Sequence, residues 1–138
     1  MHTAIDRVWR IGLPSMASTL CSYENLFGPY HPQTLRLMVE VAVAFWRHGE
    51  VAQARALFER AVRDIGRHLD RSHDARLRAL QTLRGLLIEQ GEHESAEAVQ
   101  RELLEACTER FGADHPDVAA ARAELARILL QAVVPTPN

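Results

Sequence analysis

The sequence FGPYHP at residues 27–32 returns as FGADHP at residues 111–116, with every residue number raised by 84. Half of that offset is 42, and a step of 42 from His31 reaches His73. The stretch LDRSHD at residues 69–74 is therefore a degenerate middle copy of the same motif. Self-similarity at a fixed period is typical of repeat proteins, in which each unit packs on its neighbours.

Within each unit the apolar residues follow a helical spacing. Members of the first set fall three or four residues apart: Leu35, Met38, Val41, Ala42 and Phe45. This spacing predicts one face of an α-helix. Gly49 and Gly91, which the same step of 42 relates, stand where a first helix must end in a left-handed residue, which glycine adopts without strain. Pro32 and Pro116 are placed to begin helices, because proline is tolerated in the first turn.

The spacing predicts an all-α fold of six to seven helices. Their expected positions are near 3–10, 14–26, 32–47, 51–67, 74–89, 93–109 and 116–132. Paired antiparallel helices at this period predict a right-handed superhelix, or α-solenoid. We expect one domain over residues 1–138, made of N-terminal helices (1–31), repeat 1 (32–73), repeat 2 (74–115) and a C-terminal capping helix (116–132).

The motifs resemble the tetratricopeptide repeat (TPR) in the 42-residue form of kinesin light chains. The resemblance covers about residues 14–132 and rests on two features. The pair His-Pro opens a first helix at residues 31–32 and again at 115–116. The small and aromatic residues expected where paired helices pack include Ala42, Ala54 and Phe58. The family resemblance implies a protein-binding scaffold that is not an enzyme.

The second repeat departs from the family pattern at two places. Arg84 stands where a small residue is usual, and Gln100 replaces an aromatic residue. The asparagines through which kinesin light chains bind cargo peptides are absent. So are the Lys and Asn side chains with which chaperone-binding members hold a peptide's terminal carboxylate. Neither specificity is therefore expected here.

The resemblance maps a concave groove onto one face of each unit's first helix. The residues expected to bind a peptide or partner protein are Arg36, Val39, Val43, Trp46, Arg47, Arg78, Gln81, Ile88 and Arg127. Trp and Arg are frequent binding hot spots, and Arg pairs well with carboxylates, so the partner is expected to carry acidic and apolar side chains. The alternative is that the N-terminal helices partly bury Trp46 and that the arginines are merely solvated.

The chain has seven histidines, which could suggest a metal site, but the spacing of the repeated histidines argues against one. Equivalent residues of stacked units, such as His31, His73 and His115, lie about 10 Å apart because packed helix axes do, whereas zinc needs every ligand nitrogen within about 2.1 Å. These histidines are expected instead to bond backbone groups at helix starts. The cluster at residues 68–74 lacks a third fixed ligand, so we expect no metal and no cofactor.

No catalytic motif is present in the sequence: neither GxSxG, nor HExxH, nor a glycine-rich phosphate loop. The acidic residues between 89 and 97 are typical of a solvated helix start. Cys21 and Cys107 are expected to be buried structural thiols that do not pair.

Composition and charge bear on the source of the protein, its class of partner and its location. All sixteen basic residues are Arg, which suggests a GC-rich bacterial genome. Residues 51–84 carry eight Arg and four acids, and residues 85–138 carry four Arg and ten acids. This balance favours neither nucleic acid nor membrane as a partner. Without a signal-like start or a long apolar run, a cytoplasmic location is expected.

Three functions remain open. The chain is expected to be an adaptor that binds a partner protein or peptide. It could instead form a homodimeric structural module through Ile5, Val8, Trp9 and Ile11 or through its last helix. A regulatory sensor of a small signalling peptide is the third possibility.

Overall fold

The computed structural model describes the backbone of residues 4–133 and the side chains of residues 15–131. This part of the chain consists of six α-helices and contains no strand, which confirms the all-α prediction. The helices are α1 (Ala4–Phe27), α2 (Pro32–Arg47), α3 (Val51–His68), α4 (Asp74–Glu89), α5 (His93–Phe111) and α6 (Pro116–Val133).

The predicted bounds of α2 to α6 are confirmed to within two residues, but the prediction of two N-terminal helices is wrong. A single helix, α1, runs from Ala4 to Phe27 and passes through Pro14 without a break. An interior proline removes one helical hydrogen bond and its ring clashes with the carbonyl four residues earlier, which weakens or kinks a helix without always ending it. The expected break relied on Pro14 alone.

The chain forms two compact units, Met1–Leu69 and Asp70–Asn138. Unit 1 contains α1, α2 and α3, with α2 packed against both α1 and α3. Unit 2 contains α4, α5 and α6, with α5 packed against both α4 and α6. The single domain over residues 1–138 stays a prediction.

Turn residues between paired helices follow the sequence prediction. Gly49 and Gly91 have φ of 82° and 76°, in the left-handed region that favours glycine. Short turns at these residues reverse the chain, so the helices they join pack as antiparallel neighbours.

The repeated histidines cap helices, as predicted. The backbone N–H of Gln33 donates to Nδ1 of His31 at 3.1 Å, and His73 and His115 accept in the same way at the starts of α4 and α6. Each bond satisfies one of the four N–H groups that a helix start leaves without an intrahelical partner. The rings of Phe27 and Phe111 pack against His31 and His115 at centroid distances of 5.0 and 4.5 Å. The repeated phenylalanine therefore supports the cap.

The middle copy of the motif lacks both Phe and Gly and is held differently. Asp70 stands in the glycine position, and its carboxylate accepts a hydrogen bond from the Ser72 N–H at 3.1 Å. That backbone bond lowers the pKa of Asp70. Arg76, buried on α4, donates to the Arg71 carbonyl at 2.8 Å and pairs with Glu102 on α5 at 3.1 Å. An Asx turn and a buried arginine thus replace the glycine turn of the other two copies.

Each unit has its own apolar core. In unit 1 the largest fully buried side chains are Leu35, Met38, Phe58, Ile65, Val39 and Val41. In unit 2 the largest apolar ones are Leu80, Leu86, Leu87, Leu103 and Ile128, and the amide of Gln100 is fully buried among them. Since buried amides are nearly always hydrogen-bonded, we expect the amide of Gln100 to have hydrogen-bond partners inside unit 2.

Candidate functional site

Five of the predicted binding residues lie on α2 in unit 1. Arg36 and Arg47 are exposed, and Trp46 is half-buried. Val39 and Val43 are only 2% and 7% exposed, so they belong to the core of this structure. Neither valine can offer an apolar surface to a partner here, because both lie on the packed side of α2.

The other four predicted residues lie in unit 2. Arg78 and Gln81 are exposed on α4, and Ile88 is half-buried near the end of that helix. Arg127 is exposed on α6 and forms an ion pair with Glu124 one turn before it. Contact of the nine residues with a partner stays a prediction.

A cavity of about 400 Å³ lies in unit 2 between α4, α5 and α6. Its lining residues are Leu77, Gln81, Arg84, Gln100, Leu103, Cys107, Phe111, Asp117, Ala120, Ala121 and Glu124. Gln81 is the one predicted binding residue among them, and Arg127 contacts the lining through Glu124. The sequence predicts only fragments of this site, because the cavity forms only where three helices meet.

The floor of the cavity is apolar. Leu77, Leu103 and Cys107 are buried, and Phe111, which also lines the cavity, is 37% exposed. Burial raises the pKa of the Cys107 thiol, and the negative charge of Asp117 raises it further. The group therefore stays a neutral thiol and acts as a small apolar surface.

The burial predicted for the two cysteines is confirmed for Cys107 and is wrong for Cys21, which is exposed. Leu20 is buried on α1, and the next residue along a helix points about 100° away from it, which places Cys21 on the solvent side.

The polar side of the cavity is a chain of hydrogen bonds across all three helices. Nη1 of Arg84 on α4 donates to Oε1 of Gln100 on α5 at 3.0 Å. Nε2 of Gln100 donates to the carbonyl of Ala121 on α6 at 2.9 Å. Nε of Arg84 is buried and has no acceptor among the described residues. The guanidinium therefore uses only part of its capacity of five donors.

The two departures from the family pattern are thus partners in space. A step of 42 back from Arg84 and Gln100 reaches Ala42 and Phe58, both fully buried in unit 1. Unit 1 fills these equivalent positions with a small residue and a ring, whereas unit 2 fills them with a hydrogen-bonded polar pair. Their joint replacement could have been suspected from the repeat alignment, but their contact could not.

Two carboxylates line the cavity on α6. The hydrogen bond from Arg127 lowers the pKa of Glu124, burial opposes that shift, and the charges of Arg127 and Arg84 add to it. The same hydrogen bond raises the pKa of Arg127. Asp117, the second carboxylate, is exposed at the start of α6. One guanidinium and two carboxylates therefore share the lining.

Where side chains are described, no three His, Cys, Asp or Glu residues are grouped so that they could hold a metal ion. In the predicted cluster at residues 68–74, Nδ1 of His73 lies 3.0 Å from a carboxylate oxygen of Asp74. The ring of His68 stacks on that of Tyr30 with 3.7 Å between the ring centroids. No described helix is long and apolar enough to cross a membrane. The cytoplasmic location stays a prediction.

Comparison with known proteins decides the family. The model of the tetratricopeptide repeat matches residues 34–75 and 85–117, more than half of the 138 residues. The chain belongs to the tetratricopeptide repeat family. The matched segments include α3, α5 and most of α2, and the second one begins just after Arg84. No curated protein matches this tetratricopeptide repeat chain.

Two solved structures confirm the predicted TPR-like fold. Both come from a Podosopora anserina protein assigned as a kinesin light chain, with nearly identical TPR-like repeats. A single-substitution variant of it has a TM-score of 0.73 at 21% identity, over 92% of this chain and 62% of its own. Another crystal structure has a TM-score of 0.70 at 22% identity, over 88% and 60%. The present chain thus spans about three-fifths of their length.

Proposed function

We propose that this TPR chain is a protein-interaction module whose unit 2 binds a peptide segment of a partner protein in the cavity between α4, α5 and α6. TPR proteins are generally protein-interaction scaffolds. The observation that carries the proposal is the cavity itself, whose volume of about 400 Å³ lies within the range of known binding pockets. It combines an apolar floor with a few convergent polar groups, the usual composition of such a pocket.

The rim of the cavity favours a chain-like ligand. Gln81 on α4 and Ala120 on α6 are exposed at its edge, so a bound segment can continue over the surface of the unit. Arg78 is exposed one helical turn from Gln81, where it would meet an acidic side chain next to the bound segment. The acidic partner predicted from the sequence is thus proposed for the flank of the peptide.

A binding role suits the cavity better than catalysis. The nucleophilic group in its lining is Cys107, and the raised pKa of this thiol works against the thiolate that nucleophilic catalysis needs. The lowered pKa of Glu124 keeps this carboxylate ionised near neutral pH, so it holds no proton to donate as a general acid. We therefore propose no reaction at this site.

The test is selection from a random peptide library displayed on phage, with the whole chain as bait. Ala120→Leu fills the cavity, whereas Ala119→Leu adds the same bulk to an exposed neighbour that does not line it. We expect peptides that bind the native chain and Ala119→Leu but not Ala120→Leu. Peptides that bind all three proteins equally, or a selection that enriches no peptide, would contradict the proposal.

Self-assembly is the second candidate, and one observation favours it. Leu130 on α6 is 65% exposed, and Leu26 near the end of α1 is 76% exposed. An exposed apolar side chain on a helix surface can contribute to an interface between two copies of the chain. Light scattering over a tenfold concentration range tests this candidate: a dimer that Leu130→Glu dissociates supports it, and a monomer throughout contradicts it. The N-terminal residues Ile5, Val8, Trp9 and Ile11 have side chains outside the described part.

A further inference from the structure

We propose that the cavity of unit 2 recognises an internal stretch of its partner rather than a chain end. In this arrangement an apolar side chain lies on the floor formed by Leu77, Leu103 and Cys107, and a neighbouring backbone carbonyl accepts a hydrogen bond from Arg84. The inference rests on the proposed function and specifies the chemistry of its ligand.

Arg84 supplies the donor. Its hydrogen bonding within the described side chains is limited to one contact, from Nη1 to Gln100 at 3.0 Å, and its buried Nε has no acceptor there. A buried donor without an acceptor is destabilising, whereas the equivalent Ala42 of unit 1 has no such group. A guanidinium that is left with unused donors at the edge of a cavity can turn toward a ligand oxygen and satisfy them.

The charges of the lining select a neutral acceptor. Asp117 and Glu124 outnumber Arg84, so a ligand carboxylate would add a third negative charge to the same small space. A ligand ammonium has donors only, so it cannot accept a hydrogen bond from Arg84. A peptide carbonyl can accept the hydrogen bond from Arg84 and adds no negative charge to the lining.

The lining favours an apolar group on the floor of the cavity. Ala120 and Ala121 of α6 line the cavity with single methyl groups, and Leu77 and Leu103 line it with larger apolar side chains. Phe111 adds an aromatic ring to the same lining. A branched or thioether side chain such as Leu or Met fits an apolar floor bounded in this way.

The experiment compares two random peptide libraries with the whole chain as bait. In one library the peptides end in a free carboxylate, and in the other both ends of the peptide are fused within the display protein. We expect binders mainly from the fused library, each with a medium-sized apolar residue. We also expect the amidated synthetic form of a selected peptide to bind on the order of tenfold more tightly than a form truncated to a carboxylate at that carbonyl.

Two substitutions link the result to Arg84. Arg84→Met keeps an apolar stem but removes every donor, and Arg122→Met is its control at an exposed position outside the lining. We expect at least a tenfold loss of affinity for the first variant, checked for unchanged helix content by circular dichroism, and none for the second. The cavity-filling variant Ala120→Leu repeats the test without touching Arg84.

The outcomes separate the two proposals. Binders found mainly in the free-carboxylate library, and lost with Ala120→Leu, would overturn the internal-segment inference and leave the proposed function in place. Affinity unchanged by Arg84→Met in a folded variant would likewise overturn the role of Arg84. No binders from either library would contradict both proposals.

Discussion

Replacing Arg84 and Gln100 together should cost less than the sum of the two single replacements. In unit 2 the two side chains hydrogen-bond to each other, and in unit 1 the equivalent Ala42 and Phe58 are both fully buried. The double variant Arg84→Ala with Gln100→Phe therefore gives unit 2 the solution that unit 1 already uses. A double-mutant cycle measures how strongly the two positions depend on each other.

Each single substitution leaves a buried group without its partner. Arg84→Ala removes the donor to Oε1 of Gln100, whose side chain is fully buried, and should lower the free energy of unfolding by about 1–3 kcal/mol. Gln100→Phe leaves the guanidinium of Arg84 with no acceptor among the described residues and should lower it by at least as much, because that group is charged. The single variant Gln100→Phe and the double variant both remove the donor to the Ala121 carbonyl, so this loss does not enter the coupling free energy.

The double variant removes both unpaired groups, and its new ring can occupy part of the neighbouring cavity. We expect a favourable coupling free energy of about 1–3 kcal/mol between the two positions. Urea unfolding of the four proteins followed by circular dichroism gives the value, provided that the dependence on urea is the same in all of them. Losses that simply add, to within about 0.5 kcal/mol, would refute the argument that the two departures compensate each other.

Three further predictions concern the caps and the charges. His31→Ala should lower the free energy of unfolding by about 1 kcal/mol in urea titrations because α2 loses its side-chain cap, and His31→Asn, which restores an acceptor, should recover most of it; equal losses would contradict the capping role. The pKa of Glu124 is lowered in the folded state from its ordinary value of 4.5, so its contribution to stability is complete above that value and is lost as pH falls through the folded pKa. Glu124→Gln should therefore flatten the decline of stability between about pH 5 and about pH 2, and an unchanged acid slope would show that the pair with Arg127 contributes nothing. Arg78→Ala should weaken binding of a selected peptide with an acidic flank by less than about fivefold in titration calorimetry, with a difference that fades at high salt; a loss independent of salt would point to packing instead.

Local signals made most of the fold predictable from the sequence. The 42-residue period, the His-Pro pairs and the turn glycines mark where helices begin and end, and α2 to α6 follow them. Pro14 gave a misleading signal, because an interior proline weakens a helix without always ending it. Cys21 shows a related limit: cysteine is often buried, but its position around α1 decides its exposure, and that depends on which face α2 covers.

The candidate site could be predicted only in fragments. Arg84 and Gln100 stood out as departures from the pattern, and Gln81 and Arg127 were expected on a binding surface. Nothing in the linear order of residues shows that a cavity opens between α4, α5 and α6 or that Arg84 reaches Gln100. Such facts depend on helix packing, which sets distances between side chains far apart in the sequence.

The most direct test of the central claim is to map a selected peptide on the isotope-labelled chain by NMR. Titration with an amidated peptide should shift the side-chain N–H signals of Arg84 and Gln100 in unit 2, and the backbone signal of Ala120 on α6. The equivalent backbone signals of Ala42 and Phe58 in unit 1 should stay in place. Shifts that leave Arg84, Gln100 and Ala120 unmoved while other signals respond would contradict binding in this cavity.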